Sequence, residues 1–484
     1  MARRIRNAVL CGAFVLGLAA APHLAIAQSA IAPAVPAAAS PGTFLALSDI
    51  HLAMSDNVSC SSAGEETRPA LWSAAQAKAK VLIATAKPAF AIYVGDLPAH
   101  CAGGYATEFK AALDGLANIA GTTTKLIYLP GNNDSLGGDY QAFTYNQQTP
   151  LNLSSTWGGS PVLNAQSGDL IDTANLPKGY YSVYAAQKSA TAPALRVIAL
   201  NTNIFTASYD SRNGAPDPNG VPHYQADTNI FTASYDSRNG APDPNGVPHY
   251  QADTNAQLEW LNAQLKDART KGERVIVAMH VPPGIDGYGD GNGGVKTMWS
   301  RSLNYTGTDP DLVQAWVQQT FLQIIASYGP EIVGLLSSHT HYNEIRRLRD
   351  CSRKLPNLGR FTELDLAIPS ITTDHGNNPS LKLVEYNTQF EWTENTTYYA
   401  SDNKGTGWNG NKPLSFDSMN YPCKKCAPGD TLKDRIAALD NKTVIGTSQG
   451  LADLMLKWLR VNGTAPKNPR SYALSLDATC EAPD

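Results

Sequence analysis

No stretch of this chain approaches the ~20 consecutive apolar residues that a membrane-spanning helix needs, although hydrophobic residues fill 43% of its 484 positions. The sequence therefore excludes an integral helical membrane protein. An excess of one charge is missing as well. The formal net charge is only −4, so nothing in the balance selects a nucleic-acid backbone as partner. Cysteine is sparse, at seven residues. Cys423 and Cys426 form a single C-x-x-C pair with no second pair and no βαβ pattern around it, which favours a structural disulfide over zinc or redox chemistry. No phosphate-cradling P-loop and no Gly-x-Ser-x-Gly nucleophile elbow occurs, which argues against a serine hydrolase.

What is present begins with an export signal. Arg3, Arg4 and Arg6 form a basic head, residues 8–21 a short apolar run, and Ala25-Ile26-Ala27 a small-x-small cleavage pattern. A signal peptide over 1–27 makes Gln28 the first mature residue and implies a secreted or periplasmic protein. Its removal takes away Cys11 and leaves Cys60, Cys101, Cys351, Cys423, Cys426 and Cys480. An even count in an oxidising compartment favours disulfides, whose connectivity the sequence leaves open.

Residues 28–42 are rich in Ala and Pro and read as a disordered leader. From Thr43 onward short apolar runs alternate with longer amphipathic stretches, the pattern of an α/β protein. The runs at 43–47, 90–94, 126–129, 195–200, 275–279 and 332–336 are continuously apolar, which suits strands buried on both faces. Helices are predicted over 71–86, 255–271 and 312–328. A catalytic domain over 43–386 is expected to carry a small C-terminal helical subdomain over 387–484. Its helices would lie at 430–438 and 447–461, with Phe390, Trp392, Tyr398 and Tyr399 as packing aromatics.

Residues 202–227 recur without a change as 228–253. Two identical copies do not make a repeat architecture, and their Gly, Pro, Asn and Asp content marks loop material. The stretch reads as a recent tandem duplication, or an assembly artefact, lengthening a surface loop between a strand ending at Asn201 and a helix beginning near Asn255. His223 and His249 are copies of each other within it and are assigned no chemistry.

The chemistry follows the apolar runs. After 43–47 come Asp49 and His51; after 90–94, Gly95-Asp96-Leu97-Pro98-Ala99-His100; after 126–129, Gly131-Asn132-Asn133-Asp134. His280 follows 275–279, and His339-Thr340-His341 follows 332–336. Five strands thus deliver Asp, Asn or His at their carboxyl ends, where open α/β sheets bind ligands. Two neighbouring divalent cations need N and O donors from several directions and one bridging carboxylate. The two-residue period of a strand would put Asp49 with His51, and His339 with His341, on one side. Gly95 permits a tight turn and close backbone approach before Asp96. Any one of these pairs is weak alone; their order and their repeated place at strand ends make the signal specific.

In combination these motifs resemble the calcineurin-like metallophosphoesterase superfamily, over most of residues 43–386. The resemblance implies a layered β-sheet sandwich flanked by helices. It also implies two divalent cations, with zinc favoured and manganese or iron possible. Asp49, His51, Asp96 and His341 would hold one cation, and Asp96, Asn132, His280 and His339 the other, with Asp96 bridging. Gly95-Asp96-Leu97-Pro98-Ala99-His100 is similar to the Gly-Asp-x-Pro-Ala-His of acid sphingomyelinase-like phosphodiesterases. Pro369-Ser370-Ile371-Thr372 with Gly376-Asn377-Asn378-Pro379-Ser380 is similar to the segment that closes the catalytic domain there.

Two positions depart from the superfamily pattern. Asn133 stands where a histidine usually protonates the leaving oxygen or stabilises transition-state charge, and an amide donates a hydrogen bond but no proton. His100 is therefore the expected general acid, with Asn133 the second candidate catalytic residue. Ser338 replaces the usual glycine before His-x-His, for which adjustment rather than loss of the site is expected. The implied reaction is hydrolysis of a P–O bond by a metal-bridging hydroxide. Only residues 28–42 separate the signal from the first strand, too few for a saposin-like domain, which lowers the expectation of attack on bilayer lipid. A phosphodiester is the leading substrate. Inorganic polyphosphate is the alternative, because Gly-Asn-Asn-Asp also resembles endopolyphosphatase-type relatives. A metal-binding protein that has lost catalysis is the third reading. Tyr288 and Trp299 are candidates for lining the cleft, with ordinary packing equally compatible.

Overall fold

Continuously apolar strands need cover on both faces, and the fold supplies it in four layers, helix–sheet–sheet–helix. The structure, a computed structural model, describes residues 41–54, 66–100, 105–209, 250–284, 297–350, 359–415, 427, 429–438, 461 and 477–478. All of the expected leader but Pro41 and Gly42, the latter already in the first strand, lies outside them, as do all seven cysteines, Tyr288, His223 and His249, so the disulfide and signal expectations are not addressed there.

The first sheet contains β1 (Gly42–Leu47), β2 (Phe90–Tyr93), β3 (Leu126–Tyr128), β4 (Val162–Leu163), β12 (Ser380–Tyr386), β13 (Trp392–Tyr399) and β14 (Leu414–Ser415), in the order β14-β13-β12-β1-β2-β3-β4. The second contains β5 (Leu170–Asp172), β6 (Tyr181–Ala186), β7 (Leu195–Ala199), β8 (Arg274–Ala278), β9 (Ile332–Ser337), β10 (Ile345–Arg349), β11 (Phe361–Ala367) and β15 (Asp477–Ala478), in the order β15-β10-β11-β9-β8-β7-β6-β5. Parallel strands form the centre of each: β1, β2 and β3 in one, β7, β8, β9 and β11 in the other.

Alternation along each strand assigns the layers. Phe44, Ala46, Phe90, Ile92 and Ile127 meet Val197, Ile276, Ala278 and Leu336 between the sheets. Leu45, Leu47, Ala91 and Tyr93 turn instead to Leu71 and Trp72 of α1 (Pro69–Ala86) and Leu113 of α2 (Tyr105–Ala120). Ile198, Val275 and Val277 turn to Leu258 and Leu261 of α3 (Gln251–Lys271) and Phe321 of α4 (Val317–Ser327). All six expected strands and all three expected catalytic-domain helices are present. Helix α2, which carries Gly115, was not among the helices named from the sequence. That glycine lets Trp72 lie against the helix, where a Cβ would stand 2.6 Å from Trp72 Cε2.

Two expectations about organisation need revision. The first sheet does not stop at 386, because β13 pairs antiparallel with the whole of β12. Phe390 and Trp392 are buried in the inter-sheet core. Residues 393–397 are five polar residues in a row, so the sequence of this strand gives neither a continuous apolar run nor an alternation. Of the expected C-terminal helices, the described residues contain α5 (Leu432–Ala437), capped by Thr431 and Asp434; the stretch 447–460 lies outside them.

The ends of the duplicated stretch are also not surface loop. Thr202, Asn203, Ile204 and Phe205 of the first copy form a buried 3-10 turn. Tyr250 and the first residues of α3 come from the second copy. Tyr209 and Tyr250 meet edge to face, with centroids 6.1 Å apart. The apolar pair Ile204 and Phe205 outweighs the loop-like composition around it. Each copy therefore contributes one end to the core.

Deleting residues 210–235 restores a single copy and keeps every described contact at these ends. Chain entropy changes by only about 1 kcal/mol for a roughly threefold shorter connection. The variant is expected to fold with a thermal midpoint within about 4 °C of the full chain. A larger fall by calorimetry would show that the duplication is built into the fold.

Candidate metal centre

The polar residues do follow five strands, but those strands come from two sheets rather than one open edge. β1, β2 and β3 supply Asp49, His51, Asp96 and Asn132, while β8 and β9 supply His280, His339 and His341. The strand period does not pair them either. Asp49 and His51 lie beyond β1, and His339 and His341 beyond β9. All four adopt left-handed backbone, at φ 47°, 44°, 68° and 62°, and Asp96 joins them at 69°. That region costs a non-glycine residue about 1–3 kcal/mol and persists where surrounding contacts over-determine it. Here the β1–β2 ladder continues past both strands: Asp49 N–H donates to Gly95 O (2.9 Å), His51 N–H to Asp96 O (3.2 Å) and Leu52 N–H to Leu97 O (2.8 Å). Two glycines make the approach possible. A Cβ on Gly95 (φ 101°) would stand 2.7 Å from His280 Nδ1, and one on Gly131 would overlap the Asp96 carboxylate.

The side chains then converge. Asp96 Oδ2 lies 3.4 Å from His51 Nε2 and 3.2 Å from His280 Nε2. Asp49 Oδ1 lies 3.5 Å from His341 Nε2 and 3.8 Å from both His51 Nε2 and His280 Nε2. Asn132 Oδ1 is 3.1 Å from His280 Nε2. Three imidazoles face backbone carbonyls with Nδ1: His51 to Pro98 O (3.1 Å), His280 to Val94 O (2.7 Å) and His341 to Asp374 O (3.3 Å). Each Nδ1–H donates outward, so each Nε2 is turned into the cluster, the arrangement metal-ligating histidines use. Asp49, His51 and Asp96 form one group of potential ligands and Asp96, His280 and His339 another, each with ligating atoms within 4.8 Å. Asp49 Oδ1 and His51 Nε2 are buried and accept or donate no hydrogen bond among the described residues. Buried polar atoms rarely stay unsatisfied, and this donor set fits cations.

The buried charges set the protonation of these groups. Burial opposes charge on Asp96, but His280 and His51 hold its carboxyl well below the usual range. Burial also opposes charge on His280, yet Asp96 and Asp49 outweigh it and raise its pKa to about 9. Burial and then His280 hold His339 down to about 3, and burial with His375 and His51 keeps His341 low. His339 and His341 are thus neutral Lewis bases, the form a cation binds.

The two departures from the pattern both turn inward. Asn133 donates to Asp96 twice, from its backbone N to Oδ1 and from Nδ2 to Oδ2, each at 2.9 Å. Its amide grips the shared carboxylate rather than the open mouth. Ser338 Oγ hydrogen-bonds Asp49 Oδ2, which leaves Oδ1 to the histidines, and lies 2.9 Å from Ile368 O.

His100 lies at the mouth with an 18% exposed side chain. Its ring stacks on His51 at 4.1 Å, and its Nδ1 donates to Glu66 Oε1 at 2.9 Å. Burial disfavours its charge, but Glu66, Asp374 and Asp96 outweigh that and raise its pKa to about 10. Sequence reasoning missed Glu66, Asp139, Asp374 and His375. Asp139 Oδ1 accepts from Asn132 Nδ2 at 2.8 Å, which orients the amide oxygen inward. Asp374-His375 adjoins Pro369-Ser370-Ile371-Thr372 and was legible as an acidic–histidine pair, whereas Glu66 carries no local pattern. Trp299 is a core residue, buried between Phe205 and Phe321 and donating from Nε1 to Val281 O.

Comparisons with known proteins bear on the family of the chain. The family model described as calcineurin-like phosphoesterase matches residues 42–343. The chain is similar to sphingomyelin phosphodiesterase 2 of Caenorhabditis elegans, 28% identical over 177 residues that cover 34% of this chain and 24% of that protein. It is similar to sphingomyelin phosphodiesterase A of Dictyostelium discoideum, 22% identical over 350 residues, covering 71% and 46%. A cyclic GMP-AMP phosphodiesterase of Bos taurus is 24% identical over 310 residues, covering 62% and 53%. The matches thus span about a quarter to a half of these relatives' own lengths. Among solved structures, a dimetal phosphatase from Danio rerio is 15% identical, with 78% of this chain and 99% of that one covered and a TM-score of 0.42.

Asp134 ties the two metal-facing loops together, its carboxylate accepting from Asp96 N (2.9 Å), Leu97 N (2.7 Å) and Gly131 N (2.8 Å). Asp134→Asn turns an amide N–H₂ toward those donors. It is expected to cost about 3 kcal/mol in denaturant unfolding and to lower bound metal. A loss below about 1 kcal/mol with full metal content would show that the loops hold without it.

Proposed function

The chain belongs to the calcineurin-like phosphoesterase family, and from that premise we propose that it is an exported phosphodiesterase of the acid sphingomyelinase-like type working with two divalent cations. The observation that carries this reading is the pair of donor clusters sharing the buried Asp96 carboxylate. Asp49, His51, Asp96 and His341 would hold one cation, and Asp96, Asn132, His280 and His339 the other. When bound, the cations polarise phosphoryl oxygens and acidify a water for attack on phosphorus. The mixture of N and O donors suits zinc, manganese or iron, and the subgroup resemblance favours zinc.

The chain's own groups do the remaining work. Asn133 fixes both oxygens of Asp96. His100, gripped at Nδ1 by Glu66, presents Nε2 to the leaving oxygen and supplies the proton that Asn133 cannot. The names of the sphingomyelin and cyclic GMP-AMP phosphodiesterases support a diester substrate. The Arg-rich head, apolar run and Ala25-Ile26-Ala27 support export. Cleavage of polyphosphate is the second reading, favoured by Gly131-Asn132-Asn133-Asp134.

Turnover of bis-p-nitrophenyl phosphate by the purified, metal-loaded chain is expected, with Asp96→Asn losing both turnover and metal. His100→Ala is expected to lower kcat about 10²–10⁴-fold on a diester with an alkoxide leaving group. It should matter far less for nitrophenolate, which departs without a proton. Equal losses on both substrates would remove His100 from the role of proton donor. Activity on polyphosphate alone would favour the second reading, and a native protein that takes up no metal would sink both.

A further inference from the structure

The ligands proposed for the two cations differ in what holds them. Three imidazoles rest on backbone: His51, His280 and His341 each direct Nδ1 at a main-chain carbonyl, of Pro98, Val94 and Asp374. Asn132 and His339, both assigned to the second cation, meet side chains instead, and those side chains are neighbours in sequence. Asn132 Nδ2 donates to Asp139 Oδ1 at 2.8 Å. His339 Nε2 lies 3.4 Å from Tyr140 Oη, with the two rings edge to face and their centroids 6.4 Å apart.

The turn that carries this pair is fastened in place. Tyr140 N–H donates to Asn132 O at 2.7 Å. Tyr140 takes left-handed backbone at φ 55°, which costs a bulky residue and persists where contacts over-determine it. Ser135 Oγ donates to Ala142 O (2.6 Å) and accepts from Gly137 N–H (3.1 Å), closing the turn on itself. Gly138, at φ 109°, supplies the bend before Asp139. One dipeptide thereby touches a residue that follows β3 of the first sheet and a residue that follows β9 of the second. With Nδ2 on Asp139, Asn132 turns Oδ1 toward His280 Nε2, 3.1 Å away. The hydrogen bond made by one imidazole nitrogen decides which nitrogen a metal takes. His339, with Nε2 facing Tyr140, would present Nδ1, the reverse of the other three imidazoles.

We propose that Asp139 and Tyr140 are positioning residues for the second cation: Asp139 sets Asn132 Oδ1 toward it, and Tyr140 sets His339 Nδ1. This rests on the two-cation phosphoesterase reading and adds to it the residues on which loading of one site depends. Partners of this kind are worth about 10–100-fold in metal affinity. His51 and His341, on the first cation, lean on main-chain oxygens elsewhere. Loss of the pair therefore empties one site and spares the other.

The test titrates the metal-free full chain with Mn²⁺ by calorimetry and follows the spin-coupled manganese pair by electron paramagnetic resonance. Two binding steps are expected, and the one that Asn132→Ala abolishes identifies the second site. Asp139→Ala and Tyr140→Phe should each weaken that step about tenfold or more, with the other step changed less than roughly threefold. At a metal concentration that just fills both sites of the parent, their spectra should show isolated Mn²⁺ in place of the coupled pair. Asp139→Asn keeps a carbonyl oxygen for the Asn132 amide and should recover most of the loss. The thermal midpoint of the metal-free chain should not move. Equal weakening of both steps, no weakening of either, or weakening that tracks a fall in the metal-free midpoint would each overturn the proposal. A second step that depends on the pair in a chain that turns over no phosphoester would keep the proposal and sink the phosphoesterase reading.

Discussion

Asp96 is a carboxylate at 1% exposure that lies within 3.4 Å of one histidine from each of two sheets, His51 and His280. An isolated buried anion would cost several kcal/mol, so its surroundings have to repay it. They do so in layers. Two N–H donors from Asn133 hold its oxygens, and the Asp134 carboxylate holds the backbone that presents it. Gly95 and Gly131 have no Cβ because that space is taken by the site itself. What remains unsatisfied, Asp49 Oδ1 and His51 Nε2, faces the same small volume. A cation there would neutralise the carboxylates and take up the unsatisfied atoms at once.

The backbone follows from the same demand. Five of the seven proposed ligands sit in left-handed conformation, immediately past the strands that deliver them. A residue still in a strand points to the inter-sheet core or to the helices, and both of those layers are apolar. Leaving the strand is the way to aim a polar side chain at the junction of the two sheets. The local strain is offset by the ladder that continues alongside, from Asp49 to Gly95 and from His51 to Asp96, and by the strap from Ser370 to Asn377.

That strap also shapes chemistry. It brings Asp374 and His375 to the mouth, where Glu66 from the segment before α1 grips His100. These groups surround the donor clusters without belonging to them.

The polar residues that converge between the sheets were legible in the sequence because their signal is local. A continuous apolar run ends, and a polar residue of ligating type follows within a few positions, as in Val94-Gly95-Asp96 or Met279-His280. The same local contrast marked six strands and three helices. Pairing was not legible. Inner and outer faces are both apolar, so no pattern says that β1 and β9 lie in different sheets, and the polar run 393–397 of β13 hid an added strand. Neither could local reading find Ser338 on Asp49, 289 positions apart, or the turn of Asn133 onto Asp96. Residue types and their order come from the sequence alone. Which atoms meet, and in what backbone conformation, was decided by tertiary packing, since those contacts join segments that carry no information about one another until the sheets close.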